Sequence, residues 1–275
     1  MAFDFTTQEP PFRFRQGTRP LLISMPHVGT HIPAPLAERM TAEAREVHDT
    51  DWHLERLYDF ADEIGASVLV ATHSRYVIDL NRPPDGSSLY PGQSVTALCP
   101  VDTFNLTPVY LPGMEPEQAE IAQRLDAVWR PYHRQLADEL ARIKAQYGVA
   151  ALWDAHSIRS VVPRFFDGKL TDLNLGNGKG SACDPALAAD LLRIASSNDA
   201  YTAVLNGRFT GGYITRDHGK PADGVHAMQL EQTQSSYMQE AMPFDYLPDV
   251  AAGVKPQVRE MVETMLNFIE AKAGG

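Results

Sequence analysis

Short apolar runs of strand length, separated by stretches of helical spacing, leave this chain few folds to choose from. Leu21–Met25 (LLISM, closed by Pro26), Ser67–Ala71 (SVLVA) and residues 76–80 (YVIDL) are three such runs. Continuous apolar runs this short suit strands covered on both faces. Between the first two, Trp52, Leu54, Leu57, Phe60, Ala61 and Ile64 approximate helical spacing. Asp49 or Thr50 is placed to cap that helix, and Asp49 suits the cap better, leaving Asp51 free. From 115 to 147, Ile121, Leu125, Val128, Trp129, Tyr132, Leu136, Leu140 and Ile143 mark one side of a longer helix, ended at Gly148 and kinked or split at Pro131. Residues 149–153 (VAALW) then predict a strand, Pro185–Ala195 a helix, 201–205 a strand, 224–233 a strand with Val225, Ala227 and Gln229 on one face, and 254–271 a closing helix. The order predicts an α/β fold of three layers, αβα, with a mixed central sheet. With no internal repeat and no low-complexity linker, residues 1–275 are expected to form a single domain.

Charge narrows the partners. Lys plus Arg number 24 against 35 Asp plus Glu, and a net charge of −11 argues against a broad nucleic-acid or anionic-membrane surface. An anionic ligand would need a local cluster of positive charge. No stretch approaches the roughly 18 to 20 apolar residues of a spanning helix. Cys99 and Cys183 are too few for a disulfide framework or a thiolate metal cage, and the start MAFDFTTQEPPFRFR has no apolar core of a signal peptide. The expectation is a reduced, cytoplasmic protein.

In open α/β sheets reactive groups gather at the carboxyl ends of strands. Polar clusters stand at four such places: Pro26-His27-Val28-Gly29, Asp79-Leu80-Asn81-Arg82-Pro83-Pro84, Asp154-Ala155-His156-Ser157 and Gln229-Leu230-Glu231. A fifth, Asp49-Thr50-Asp51-Trp52-His53, sits at the helix start. Two histidines and an acid from separate segments meet the needs of a catalytic zinc site, whose three protein ligands leave a fourth position open. No spacing is a local metal signature such as HExxH, so each cluster alone is weak. Most histidines are structural, and His73 and His133 fit that reading. Asp154 and His156, two apart, point the same way in extended backbone, so either can bind a metal while the other orients it. Glu231 lies in a run that reads as buried, where a carboxylate costs several kcal/mol unless it is paired or performs chemistry. Arg82, stiffened by two prolines, is either a carboxylate anchor or a loop ion pair. The glycine-rich tract 168–183 lacks the strand-to-helix pattern of a phosphate loop, and no Gly-x-Ser-x-Gly offers a nucleophile elbow.

Taken in order, SMPHVGTHIP, HDTDWHLERLY, SRYVIDLNRPP, WDAHSIRS, LNLGNGKG, GGYITRDHG and MQLEQTQSSYM resemble the N-formylglutamate amidohydrolase family over most of the chain, from about Leu21 to Tyr237. The resemblance implies a zinc-carboxypeptidase-like (phosphorylase/hydrolase-like) fold. It also implies a cytoplasmic enzyme that releases formate and L-glutamate from N-formyl-L-glutamate in one histidine-degradation route. On that resemblance His27 and His156 take the places of the two metal histidines. The carboxypeptidase glutamate ligand, three residues after the first histidine, is replaced by Thr30. Asp51 is therefore expected as the acid ligand, with Asp49, His53 and His31 as rivals. Asn81-Arg82 looks like the carboxylate-gripping Asn-Arg pair of the carboxypeptidases, and Glu231 like their late-chain catalytic glutamate. The implied cofactor is one divalent metal ion, Zn2+ before others, and the implied partner a small dicarboxylate substrate. Arg216 is the candidate for its second carboxylate, with Arg159 and Arg75 as alternatives. The competing readings are a metal-dependent deacylase of another N-acyl amino acid and a non-catalytic small-acid binding protein.

Overall fold

The computed structural model describes residues 5–89 and 92–273. Its strands are β1 (Phe12–Arg15), β2 (Leu21–Met25), β3 (Ser67–Ala71), β4 (Ala150–Ile158), β5 (Leu173–Gly176), β6 (Ala203–Leu205) and β7 (Val225–Thr233). The α-helices are α1 (Ala34–Ala37), α2 (Leu54–Leu57), α3 (Gln118–Arg124), α4 (Arg130–Tyr147), α5 (Pro185–Ala195), α6 (Tyr213–His218) and α7 (Pro248–Ala273). The strands form one sheet in the order β1-β3-β2-β4-β7-β5-β6. β3, β2, β4 and β7 run parallel, β1 is antiparallel to β3, and β5 is antiparallel to β7.

Alternation sorts the central strands onto two cores. Leu21, Ile23, Ala151, Trp153, Met228 and Leu230 pack with α5 and α7 on one face. Leu22, Ala150, Leu152 and Ala227 pack with Tyr132, Leu136, Leu140 and Ile143 of α4 on the other. The result is the expected three-layer arrangement around a mixed sheet. Ahead of Pro131 the long helix passes through a π turn, Leu125–Trp129, which absorbs the missing proline N–H, and Gly148 closes α4 in the left-handed region at φ 79°.

Several expected elements differ. Residues 76–80 are buried but belong to no strand, because the sheet edge beside β3 is already taken by β1, whose half-buried FRFR carries too few apolar residues to stand out. Their polar groups are used instead by Ser74, Leu98 and Arg124. The helix after Asp49 shrinks to α2 and a 3-10 turn, Asp59–Ala61, and starts from His53 with no side-chain cap. Asp49 caps nothing: its Oδ2 accepts from the Tyr76 hydroxyl at 2.7 Å and the Phe104 N–H at 2.8 Å. β4 runs on to Ile158, so Asp154 and His156 lie within the strand rather than after it. The strand expected at 201–205 is confined to Ala203–Leu205, and β5 arises inside the glycine-rich tract.

Candidate functional site

β4 and β7 pair over nine residues, with Asp154 opposite Gln229 and His156 opposite Glu231. All four therefore leave the sheet on the α4 face, at or beyond the middle of their strands. His27 follows β2 by two residues, and its carbonyl accepts the Asp51 N–H at 2.9 Å, drawing the 49–53 segment over the same strand ends. One ligand-type atom from each of His27, Asp51 and His156 lies within 4.8 Å of the others, and all three side chains are buried. Asp51 Oδ2 is 3.8 Å from His27 Nδ1 and 3.2 Å from His156 Nδ1.

The other ring nitrogens are held from behind. His27 Nε2 meets Asp79 Oδ1 at 2.8 Å, and His156 Nε2 meets Asp154 Oδ2 at 3.1 Å. Although burial opposes it, Arg82, His27 and Arg75 keep Asp79 well below the usual carboxylate range, so it is ionised and Nε2–H of His27 donates to it. Burial and Arg75 push His27 down, so its imidazole is neutral and its Nδ1 lone pair faces Asp51. His156 behaves oppositely: against the effect of burial, Asp154 and Asp51 raise it well above the ordinary histidine range. Carboxylates behind two inward-facing imidazole nitrogens are the outer support that metal-ligating histidines require. Two nitrogens and one carboxylate oxygen form a set that could hold a divalent cation such as zinc.

The charge balance favours that fit. Asp51, Asp79, Asp154 and Glu231 are buried around the two histidines, faced by Arg75 and Arg82. Arg75 Nη2 donates to Asp79 Oδ2 at 2.9 Å and Arg82 Nη2 lies 3.8 Å from it, while Asp154 Oδ1 has no hydrogen-bond partner. Four buried carboxylates face only two guanidiniums, so the balance rests on protons, that of His156 among them, which a bound cation can replace.

A cleft of about 530 Å³, its open mouth included, is lined by His27, His156 and Glu231 and by Phe104, Phe165 and Phe209. Burial pushes the Glu231 carboxyl up to about 8, with His156 pulling the other way and Asp51 adding to the rise. Gln229 Nε2 donates to Glu231 Oε2 at 3.2 Å. Asn81 also lines the cleft; its Oδ1 accepts the Ile214 N–H at 2.9 Å and its Nδ2 lies 3.0 Å from His156 Nε2. A Cβ at Gly212 would stand 2.3 Å from that Nδ2, so glycine is required for the approach of α6. Arg82 faces the cleft, bonded through Nε and Nη2 to Thr96 O and Oγ1 at 3.1 and 2.9 Å.

The structure thus brings together His27, Asp51, His156, Glu231, Asn81 and Arg82. Arg159 and Arg216 are not among the cleft-lining side chains: Arg159 Nη2 donates to Asn105, and Arg216 to Gly211 O and Thr210. Among the rivals for the acid position, Asp49 faces Tyr76, His53 donates to Phe244 O, and His31 meets His73 edge to face. The orienting role of Asp79 was visible only as its membership in a polar cluster. Arg208 lines the cleft and was missed; its one sequence signal is a cation flanked by glycine and phenylalanine soon after a strand.

The chain is 52% identical over 253 residues to an N-formylglutamate deformylase of Pseudomonas aeruginosa PAO1, covering 92% of this chain and 95% of that protein. It is 48% identical to an N-formylglutamate deformylase of Pseudomonas putida, covering 92% and 94%. In fold it is similar to the crystal structure of N-formylglutamate amidohydrolase from Ralstonia eutropha JMP134, with a TM-score of 0.78, 24% identity, and 96% and 98% of the two chains covered. A gene product of Agrobacterium tumefaciens superposes with a TM-score of 0.71 at 18% identity, covering 95% and 97%. No helix among the described residues is long and apolar enough to cross a membrane. The family model described as N-formylglutamate amidohydrolase matches residues 19–238, the span that carries every strand-end cluster from His27 to Glu231, and the chain belongs to that family.

Proposed function

We propose that this protein hydrolyses N-formyl-L-glutamate to formate and L-glutamate with one divalent cation, Zn2+ first among the candidates, held by His27, Asp51 and His156. The observation that carries the reading is the convergence of that buried triad with Glu231 in one arginine-bearing cleft. The names of the relatives at about half identity support the substrate. A cation bound there would supply a Lewis acid for the formyl carbonyl and lower the pKa of water to about 7.

The chain's own residues do the rest. Glu231, its carboxyl already poised high by burial, takes a proton from the attacking water and passes it to the leaving glutamate nitrogen. Asp79 and Asp154 hold the two imidazoles in one orientation, so no reorganisation is needed as charge develops. Arg82, with Asn81 beside it, grips a substrate carboxylate, supplying locally the attraction for a dianion that the net charge of −11 opposes. The place of the reaction in histidine degradation goes with the substrate.

The test is formate release from N-formyl-L-glutamate after chelation and after restoring Zn2+, with N-acetyl-L-glutamate alongside. Metal-dependent formate with little acetate is expected. No release with any divalent metal from folded protein would overturn the assignment.

A further inference from the structure

A dicarboxylate substrate needs two anchors, and Arg82 supplies one. Resting on the reading above, the question is which residue takes the other. The cleft is lined by three arginines, Arg75, Arg82 and Arg208. Arg75 is buried and committed to Asp79 beneath the histidines. Arg164, nearby in the same loops, pairs with Asp102 at 2.7 Å and does not line the cleft.

Arg82 and Arg208 are set by one short stretch of chain. Arg82 Nε donates to Thr96 O at 3.1 Å, and Arg208 Nη2 donates to Ser94 O at 3.2 Å. Carbonyls two residues apart are separated by at most about 7 Å. The two guanidiniums are therefore tied to the same three-residue stretch of one wall of the cleft, as two anchors for the ends of one five-carbon diacid would be. Arg82 is the one tied to the histidines, through Asp79, which lies 3.8 Å from Arg82 Nη2 and 2.8 Å from His27 Nε2. The α-carboxylate, on the carbon bearing the formamide, belongs there. The carbon of the side-chain carboxylate lies four bonds from that of the α-carboxylate.

At that farther position Arg208 is fixed in plane. Its Nε donates to Phe165 O at 2.6 Å, and its guanidinium carbon lies 5.6 Å from the centre of the Phe165 ring and 5.2 Å from that of Phe209. Aromatic faces around a guanidinium exclude water and strengthen its charge-assisted bonds. We infer that Arg208 binds the side-chain carboxylate of the substrate and is the residue that selects an acidic over a neutral side chain.

The test compares N-formyl-L-glutamate with the near-isosteric N-formyl-L-glutamine in wild type, Arg208→Gln, Arg208→Lys and Arg82→Gln. Wild type should favour the acid. Arg208→Gln should lose roughly 10- to 100-fold in kcat/KM on formylglutamate, chiefly through KM, and stay within about threefold on formylglutamine. Arg208→Lys should fall between them. Arg82→Gln should weaken both substrates alike, because both carry the α-carboxylate. Retained activity of Arg208→Gln on formylglutamine shows that the fold is intact. An unchanged preference in Arg208→Gln, or equal loss on both substrates, would overturn the assignment. Failure of wild type to cleave formylglutamate would instead sink the proposed reaction.

Discussion

Two buried ion clusters lie on the same side of this sheet, and they are built on opposite plans. In the first, Arg124 is fully buried and pairs with Glu120, whose other oxygen accepts from Arg39 at 2.8 Å. The remaining Arg124 bonds go to Val77 O at 2.8 Å and the Tyr110 hydroxyl at 2.9 Å. A single carboxylate sits among guanidiniums, and neutral acceptors take further Arg124 donors, with Nε left unpartnered. In the second, the carboxylates Asp51, Asp79, Asp154 and Glu231 crowd two imidazoles and two guanidiniums. The first cluster is neutralised by fixed guanidiniums and serves packing, whereas the second, with His156 raised and the Glu231 carboxyl pushed up, keeps its balance through protons that a cation can displace. Neutralisation by exchangeable protons rather than by fixed guanidiniums separates this binding centre from a structural ion pair.

That contrast can be broken most sharply at Glu231. Glu231→Gln should lower kcat by about 10²-fold or more while metal content, read by elemental analysis, stays unchanged. Retained turnover would place Glu231 with the structural acids. Next in size, Glu120→Gln should destabilise by about 3 kcal/mol in urea unfolding, since it strands a buried guanidinium. Asp51→Asn should cost less than this in metal-free protein, because Asp154 still faces His156, and should lose the metal. If both substitutions destabilise alike without metal, the two clusters do not differ in the way described.

Acidity sharpens the comparison further. His156 is held well above the ordinary histidine range by Asp154 and Asp51 despite burial, so cation binding must displace a proton from its Nδ1. Metal affinity, measured by chelator competition, should therefore rise between pH 6 and 8 by up to about tenfold per unit. A pH-independent affinity would mean that His156 is not a ligand. The smallest effect concerns a buried group that avoids charge altogether. His133 is stacked on Trp129 and bonded to Leu80 O, and burial pushes it down to about 3. Its folded value lies below its unfolded one, so the unfolded chain binds more protons between the two. Stability from this group is constant above about pH 6.5 and falls as pH drops toward 3, at up to about 1.4 kcal/mol per unit. Urea midpoints at pH 7 and 5 should diverge less in His133→Gln than in wild type.

Legibility in the sequence followed locality. β2 and β3 stand out as short apolar runs, β7 by the alternation of Val225, Ala227 and Gln229 with their neighbours, and the two-residue spacing of Asp154 and His156 fixes a shared face. Residues 76–80 carry the same local preference, yet the occupied sheet edge overrides it. Asp49 and Asp51 are chemically identical and two apart, and the capping rule that separates them rests on a role that Asp49 does not take. Only the fold turns one toward Tyr76 and Phe104 and the other toward the histidines. Arg208 was silent for a related reason: its meaning comes from the Ser94–Thr96 stretch it shares with Arg82, more than a hundred residues away.

The nine-residue ladder between β4 and β7 also limits how this chain can change length over time. Loops can gain or lose residues with little harm, but one residue added to β4 ahead of Asp154 would turn Asp154 and His156 to the opposite face, toward α5 and α7, and leave Glu231 facing a gap. Two added residues would restore the face but slide His156 by roughly 6.6 Å past its neighbour. Length variation among descendants of this sequence should accordingly be absent between Ala150 and His156 and collect in the connections outside the ladder.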